Sequence, residues 1–307
     1  MNILVTGISG YVGSRLVPRL LRDGHAVRGL SRHGQGSRGF PGQVAVVQGD
    51  AVTGAGLDRA LSGIEVAYYL IHSMEPSLNG SFADRDRAAA ENFARAAQAA
   101  GTRRIVYLGG LLPAGGPVSP HLESRLEVER TLLAAADDSV ALRASIVIGA
   151  GSRSFRFLVR VVERLRVLAV PAWGTRRTAP IDERDIVELL ARAATNQEVG
   201  GKSLDAGGPE VVTYGELIDR IRDHLLLGRP TISLGPLTLT PIASRIASVI
   251  AGEEYELIGP LMESLGEDLL AADDRGVQVL GVRLHSLDAA IEHALRELEV
   301  AEPLAAR

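Results

Sequence analysis

Three glycines near the amino terminus have the type and spacing of a phosphate-binding loop. Gly7, Gly10 and Gly13 follow the pattern G-x-x-G-x-x-G, between an apolar run at residues 3–5 and a sequence typical of a helix. In such a loop, glycine permits the tight turn and the close approach of a pyrophosphate, and the helix N-terminus supplies N–H donors. The pattern predicts a dinucleotide site. Its members are Gly7, Ser9, Gly10, Tyr11, Val12 and Gly13.

The next strand predicted from the sequence ends in Ser31 and Arg32. This strand end meets the adenosine ribose in dinucleotide-binding folds, about 20 residues after the glycine loop. An acidic residue there binds the 2′-hydroxyl of NAD, whereas an arginine accommodates the 2′-phosphate of NADP. Arg32 therefore favours NADP(H) over NAD(H). Arg38 is a second candidate for the same phosphate, and the competing interpretation is that Arg32 is an ordinary surface arginine.

Further candidates follow the third, fourth and fifth predicted strands. Asp50 and Ala51 stand where a carboxylate can accept from the adenine amino group, although Asp50 could equally cap its own loop. Leu70 and Ile71 are expected to line a ribose of the cofactor, followed by His72 on the nicotinamide side. Gly109 completes the predicted cofactor residues.

These residues need a parallel sheet to bring their strand ends together. Short apolar runs alternate with helical patterns through the first half of the chain, which is typical of βαβ units and of a doubly wound parallel sheet. We therefore predict an α/β, Rossmann-type fold with an NAD(P)-binding domain at residues 1–149. Residues 150–307 are predicted to form a smaller C-terminal substrate or lid region on the same sheet edge. The predicted strands are 3–6, 26–31, 44–47, 64–71, 104–108 and 140–146, and the predicted helices are 12–22, 57–61, 82–100 and 122–136.

Composition narrows the possible partners. The formal net charge of −4 gives no global attraction to nucleic acid, and the C-terminal half shows no charge cluster that would indicate a strongly ionic substrate. The chain has no cysteine, which excludes thiolate metal sites and cysteine nucleophiles. No leader and no membrane span are evident, so we expect a cytoplasmic protein that binds a small molecule. Residues 242–250 are typical of an amphipathic helix that packs in the core or in a homodimer contact.

Together these motifs resemble the short-chain dehydrogenase/reductase superfamily, in its extended and atypical NmrA-like branches. The resemblance spans most of the chain. It rests on the glycine loop and on five later segments, which are residues 106–111, 121–125, 149–152, 180–182 and 207–210. The resemblance implies binding of NAD(P) and, in most members, hydride transfer to or from a carbonyl compound.

The catalytic pair of that superfamily is missing here. Its Tyr-x-x-x-Lys motif needs a lysine, yet Lys202 is the only lysine and Glu198 stands four residues before it. At the matching helix the chain has His121-x-x-x-Arg125, whose face continues with Val128 and Leu132 and should point inward. His121 is the candidate general acid, and Arg125 is the candidate for holding the ribose or an oxyanion. A helix-entry histidine with a surface arginine is the alternative.

His72 is the second catalytic candidate, because its loop is expected to face the nicotinamide half of the cleft. The remaining histidines show no ligand spacing, so no metal site is predicted. We therefore predict an NADP(H)-dependent oxidoreductase acting on a small carbonyl, enone or quinone-like compound. Two alternatives stay open. One is an NADP(H)-binding redox sensor or scaffold without turnover, and the other is an epimerase or dehydratase that uses the nicotinamide transiently.

Overall fold

A computed structural model describes residues 1–32, 44–71, 82–113, 119–170, 172–233 and 266–301. His33, Arg38, His72 and the helix predicted at 242–250 lie outside these described residues. The strands are β1 (Asn2–Thr6), β2 (Ala26–Ser31), β3 (Ala45–Gln48), β4 (Val66–Tyr69), β5 (Arg104–Gly110), β6 (Val140–Ala144), β7 (Val147–Ile148), β8 (Leu168–Val170), β9 (Arg177–Thr178), β10 (Ile181–Asp182), β11 (Lys202–Ala206), β12 (Val212–Thr213) and β13 (Thr231–Ser233). The helices are α1 (Tyr11–Arg22), α2 (Leu57–Leu61), α3 (Phe82–Ala99), α4 (Pro120–Leu133), α5 (Arg153–Arg164), α6 (Glu183–Ala193), α7 (Tyr214–His224), α8 (Arg275–Leu280) and α9 (Leu287–Ala301).

Seven parallel strands form the central sheet in the order β11-β6-β5-β4-β1-β2-β3. The strand order reverses at β1, as in doubly wound dinucleotide-binding folds, and this confirms the predicted fold class. Helices α1 and α6 pack together on one face, and α3 and α4 on the other. The carboxyl ends of β1, β2 and β4 therefore meet at one edge, directly before the loops that carry the predicted site.

The seventh strand of this sheet comes from the second half of the chain. Residues Lys202–Ala206 pair in parallel with β6, so the sheet continues past the predicted boundary at residue 149. A separate apolar core lies beyond the sheet, built by α5, α7 and α9. Phe155, Leu217 and Ile291 are fully or almost fully buried in it. The second half thus both completes the sheet and forms a core of its own.

The apolar run predicted as one strand at 140–146 is divided in the structure. β6 ends at Ala144, and the next two paired residues, Val147 and Ile148, form β7 against β10. The Ile181 amide donates to the Ile146 carbonyl at 3.0 Å, which holds the chain in its new direction. The prediction of one continuous strand was wrong because pairing with a distant segment, rather than periodicity, decides where β6 ends.

Candidate functional site

The glycine loop lies between β1 and α1, as predicted, and two of its glycines leave no room for a side chain. Gly7 has φ +64°, and a Cβ there would come within 2.8 Å of the Leu70 carbonyl oxygen. At Gly13 a Cβ would lie 2.3 Å from the Gly7 carbonyl oxygen. Gly10 is the N-cap of α1 and supplies no side-chain cap, and it is exposed together with Ser9. The first N–H groups of α1 are therefore open to a phosphate.

Thr6 fixes the end of β1 to the end of β4. Its hydroxyl donates to the Tyr68 carbonyl at 2.9 Å and accepts from the Leu70 amide at 3.0 Å. Leu70 and Ile71 are half-buried at this edge, beside the glycine loop. His72 follows directly but lies outside the described residues, so its catalytic role stays a prediction.

The end of β2 carries the residues predicted to read the adenosine ribose. Ser31 is half-buried and Arg32 is exposed, and the Arg32 carbonyl accepts from the Gln48 side-chain amide at 3.2 Å. Gly29, two residues before Ser31, makes room for Ile8 of the glycine loop, because a Cβ there would lie 2.4 Å from the Ile8 Cδ1. This packing holds the loop close to the end of β2.

Asp50 caps its own loop. Its Oδ1 accepts from the Val52 amide at 2.8 Å, which is the capping role that the sequence left open. Ala51 is buried, and its carbonyl and that of Val52 accept from the Asn92 side chain at 3.0 and 2.8 Å. The loop after β3 is therefore held rigidly against α3, with one carboxylate oxygen of Asp50 already engaged.

The helix α4 carries the pair that stands in place of Tyr-x-x-x-Lys. It begins with Ser119 as N-cap, whose hydroxyl accepts from the Leu122 amide at 3.3 Å, and with Pro120 in the first position. The predicted inward stripe is present. Arg125, Val128 and Leu132 are 4%, 2% and 0% exposed, so the alternative of a surface arginine at this position is wrong.

Arg125 is a buried cation with an incomplete set of partners. Its Nη2 donates to the Leu108 carbonyl at 3.3 Å, and its Nη1 lies 3.8 Å from the Asp86 carboxylate. The guanidinium carbon stands 5.4 Å from the centre of the Tyr107 ring, a cation–π distance. Within the part of the chain that the structure describes, Nη1 has no hydrogen-bond partner although it is buried. Buried polar groups are normally paired, so a buried N–H without a hydrogen bond marks this arginine as a candidate for binding a ligand.

His121 lies one turn before Arg125 and is half-buried. Burial lowers the pKa of His121 to about 4, assisted by the positive charge of Arg125 and opposed by Asp86. The imidazole is therefore neutral at pH 7. A neutral ring can donate or accept a hydrogen bond, but it is a poor source of a proton.

Gly109 and Gly110 stand where the superfamily places its serine. A Cβ at Gly109 would approach the Tyr107 ring to 2.9 Å, whereas a Cβ at Gly110 would meet Leu122 at an ordinary 3.5 Å. Tyr107 is buried, and its hydroxyl donates to the Arg125 carbonyl at 3.4 Å. The glycine at 109 thus leaves space for the aromatic ring that faces Arg125.

A second polar cluster, around Tyr11 and Glu183, was not found from the sequence. The Tyr11 hydroxyl donates to the Glu183 carboxylate at 2.5 Å, from the first residue of α1 to the first residue of α6. Glu183, His293 and Glu297 bring ligand-type atoms within 4.8 Å of one another. Arg15 lies among them, 3.5 Å from Glu183 and paired with Glu297, so this cluster carries its own cation. His293 and Glu297 are four residues apart on α9, so the interpretation of the sequence that the remaining histidines show no ligand spacing was wrong for this pair.

None of the helices in the described ranges combines the length and the apolar character that crossing a bilayer requires.

Comparison with known proteins supports the nucleotide site. Residues 7–145 match the family described as NAD(P)H-binding. An uncharacterized protein of Mycobacterium tuberculosis is 29% identical over 267 residues, covering 86% of this chain but only 27% of the length of that protein. A (4-alkanoyl-5-oxo-2,5-dihydrofuran-3-yl)methyl phosphate reductase of Streptomyces griseus is 29% identical, with 74% of each chain covered. A ceramide reductase of Caulobacter vibrioides is 26% identical, covering 75% of this chain and 72% of the other.

Solved structures share the fold at lower identity. A nucleoside-diphosphate-sugar epimerase of Staphylococcus aureus superposes with a TM-score of 0.74 at 17% identity, covering 95% of this chain and 100% of the other. MoeE5, solved with UDP-glucose and NAD, gives a TM-score of 0.72 at 21% identity, covering 98% and 99%. The glycine loop and the strand order both indicate a dinucleotide-binding fold, and these similarities indicate the same fold. The chain has the NAD(P)-binding Rossmann fold that these solved structures share, and its residues 7–145 match the NAD(P)H-binding family.

Proposed function

We propose that this protein is an NADP(H)-dependent oxidoreductase that acts on a small carbonyl, enone or quinone-like compound. The observation that carries the choice of NADP(H) is Arg32 at the exposed end of β2, where an NAD-specific protein would have an acid. The glycine loop beside it offers an uncapped helix N-terminus to the pyrophosphate. A basic residue at this strand end complements the extra phosphate of NADP, since a guanidinium can bind phosphate in a bidentate manner.

Arg125 is assigned the role that the lysine has in related enzymes. Its buried Nη1 has no hydrogen-bond partner among the described residues, and a ribose hydroxyl of the nicotinamide half would supply one. Its permanent charge also stabilises an oxyanion that develops on the substrate. Arginine cannot accept a proton, so it serves for binding and electrostatics alone.

We assign to His121 a hydrogen bond to the substrate oxygen. Bound NADPH supplies the hydride for the two-electron reduction, and the reduced substrate takes up one proton. Because the pKa of His121 is about 4, its neutral ring would donate a hydrogen bond that polarises the carbonyl, while the proton itself comes from water. The sequence predicted that His121 acts as a general acid. At neutral pH we propose that it only donates a hydrogen bond.

The class of substrate is supported by the names of the related reductases. The compound named for the Streptomyces griseus enzyme is a 5-oxo-2,5-dihydrofuran, which is an unsaturated lactone. This belongs to the conjugated carbonyl class proposed here. It also carries a phosphate, and the helix α5 of this chain contains Arg153, Arg156, Arg160 and Arg164. The expectation from the sequence that the substrate is not strongly ionic should therefore be tested by comparing phosphorylated and unphosphorylated substrates.

Calorimetric titration of the protein with NADPH, NADP⁺, NADH and NAD⁺ tests the cofactor first. Arg32→Ala should weaken NADP(H) binding at least tenfold, about 1.4 kcal/mol, and change NADH binding little. Arg28→Ala is the matched control on the same strand, because Arg28 donates to the Ala60 and Ser62 carbonyls at the end of α2. Equal weak binding of all four nucleotides, or none, would contradict the proposal.

Turnover is tested next by following NADPH oxidation with a panel of enones, quinones and simple ketones, each with and without a phosphate. His121→Ala should reduce turnover and keep the cofactor affinity. A protein that binds NADPH tightly yet reduces nothing in the panel would be better described as a redox sensor or scaffold. This second candidate is favoured by the missing Tyr-x-x-x-Lys pair and by the neutral state of His121.

Two further assignments rest on the sequence. We place the chain in the atypical, NmrA-like branch, and we assign substrate binding to residues 150–307, where α5, α7 and α9 form a core of their own. A transient use of the nicotinamide, as in epimerases, consumes no NADPH, so it would be detected by conversion of the substrate and not by NADPH oxidation. The cytoplasmic location and the homodimer stay predictions.

A further inference from the structure

The Tyr11 side chain contacts the second half of the protein. Its hydroxyl lies 2.5 Å from the Glu183 carboxylate, although 172 residues separate the two in sequence. Tyr11 is the first residue of α1, and Glu183 is the first residue of α6. The Glu183 side chain is only 6% exposed. A buried hydrogen bond therefore joins the start of the phosphate-binding helix to the start of a helix from the other half.

The ring of Tyr11 also explains two glycines of the segment 149–152. A Cβ at Gly149 would lie 1.8 Å from the Tyr11 hydroxyl, and one at Gly151 would lie 2.4 Å from its Cδ2. Both glycines therefore leave space for the tyrosine. The segment continues directly into α5 through its N-cap, Ser152. Tyr11 thus contacts the second half of the chain at two places, which are Glu183 and the segment 149–152.

The charges around this hydrogen bond keep Tyr11 as the donor. Burial raises the pKa of Tyr11, and the neighbouring Glu183 raises it further. Burial also raises the pKa of Glu183, opposed by the hydrogen bond from Tyr11 and by the charge of Arg15. Arg15, one turn along α1, lies 3.5 Å from the other oxygen of Glu183. The phenol keeps its proton, and the arginine balances the carboxylate.

We propose that Tyr11 is a positioning residue that couples dinucleotide binding to the packing of the second half of the chain. Its backbone N–H is one of the first-turn donors of α1 that face the pyrophosphate, and its side chain fixes where that N–H points. This proposal deepens the proposed function and rests on its dinucleotide site. Fixing a donor before the ligand arrives lowers the cost of ordering it on binding.

Tyr11→Phe tests the coupling, with Tyr68→Phe as the matched control. Both variants keep the ring and lose one buried phenol hydrogen bond to a residue of α6, because Tyr68 donates to the Leu190 carbonyl at 2.8 Å. Tyr68 lies in the sheet, and its side chain does not contact the glycine loop through that bond. Both variants should lower the Tm of the ligand-free protein by a similar amount. Only Tyr11→Phe should weaken NADPH and NADH binding, each by about fivefold, which is part of what one hydrogen bond to a charged group contributes.

The equal effect on both nucleotides separates this role from that of Arg32, which should affect NADPH alone. Glu183→Gln keeps an acceptor for the phenol and should retain most of the affinity. The double variant Tyr11→Phe/Glu183→Gln should bind no more weakly than Tyr11→Phe, because the two changes remove one shared interaction.

Two outcomes would overturn the coupling in distinguishable ways. If the wild-type protein binds the nucleotides and the two phenylalanine variants bind them equally well, Tyr11 has only a structural role and the proposed function is untouched. If the wild-type protein binds no dinucleotide, the proposed function fails and the coupling fails with it.

Discussion

Two arginines are buried beside β5, one at each end of the strand, and their surroundings differ sharply. Arg104 begins β5 at the amino edge of the sheet and is 0% exposed. It makes a bidentate pair with Asp138 at 3.0 and 2.8 Å, and its Nη1 donates to the Ala193 and Asn196 carbonyls at 2.5 and 2.7 Å. Every nitrogen of this guanidinium has a partner.

Arg125 lies at the carboxyl edge of the sheet and is nearly as buried, at 4% exposure. It contacts the Leu108 carbonyl at 3.3 Å, the Asp86 carboxylate at 3.8 Å and the Tyr107 ring. Its Nη1 has no hydrogen-bond partner among the described residues. Burying a charge without full pairing costs stability, so an incomplete set of partners is tolerated where a ligand completes it. We therefore assign a stabilising role to the amino edge and propose a binding role for the carboxyl edge.

The largest expected effect is the loss of stability when Arg104 is removed. Arg104→Met should lower the free energy of unfolding by about 3 kcal/mol, because it leaves Asp138 and two carbonyls without their buried partner. Urea denaturation measures this difference. Arg103→Met is the control, since Arg103 also pairs with Asp138, at 2.6 Å, but its side chain is 49% exposed. That variant should change stability by less than about 1 kcal/mol. Equal losses in the two variants would contradict the structural role of Arg104.

The next prediction is that the stability of the protein depends on pH through His121, at the carboxyl edge of the sheet. The pKa of His121 is lowered from 6.5 to about 4, chiefly by burial and also by Arg125. Between these values the unfolded chain binds more protons than the folded protein, so stability rises with pH. The contribution of His121 is fully present above pH 6.5, and roughly 3 kcal/mol of it is lost as the pH falls to 4. Unfolding free energies measured at several pH values in wild type and in His121→Gln isolate it.

In His121→Gln this part of the pH dependence should disappear, so the wild type should lose stability relative to the variant as the pH is lowered. A His121→Gln profile parallel to that of the wild type would show that the histidine is not buried beside Arg125. Such a result would weaken the contrast between the two edges, because Arg125 would then lie in a more solvated environment.

The sequence predicted the parts of this arrangement that local patterns control. The glycine loop follows from residue type and spacing, and the inward face of α4 follows from the four-residue interval between His121 and Arg125. The end of β6 could not be predicted, because the apolar run continues through Ile146 and only pairing with β10 redirects the chain. Periodicity carries no information about such a partner.

The same limit explains why two features of the candidate site could not be predicted from the sequence. Tyr11 and Glu183 are each unremarkable in their own segments, and only the fold brings the phenol to the carboxylate. The partial pairing of Arg125 is likewise a property of the packed structure. The sequence indicated that this arginine points inward, but not that one of its nitrogens would be left for a ligand.

The smallest expected effect on stability, and the sharpest test of the comparison, is the removal of Arg125. Arg125→Met should lower the free energy of unfolding by less than Arg104→Met does, because Arg125 makes one hydrogen bond and a 3.8 Å ion pair with Asp86 where Arg104 makes four hydrogen bonds. It should weaken NADPH binding about tenfold, or about 1.4 kcal/mol, since the contact proposed for the ribose is lost. Arg125→Lys keeps a cation near Tyr107 and should recover most of this affinity.

Arg104→Met should show the reverse pattern, with lower stability and unchanged affinity when measured well below its Tm. If Arg125→Met instead destabilises the protein as much as Arg104→Met and leaves the affinity unchanged, both arginines are structural, and the ribose contact must be sought elsewhere on the carboxyl edge.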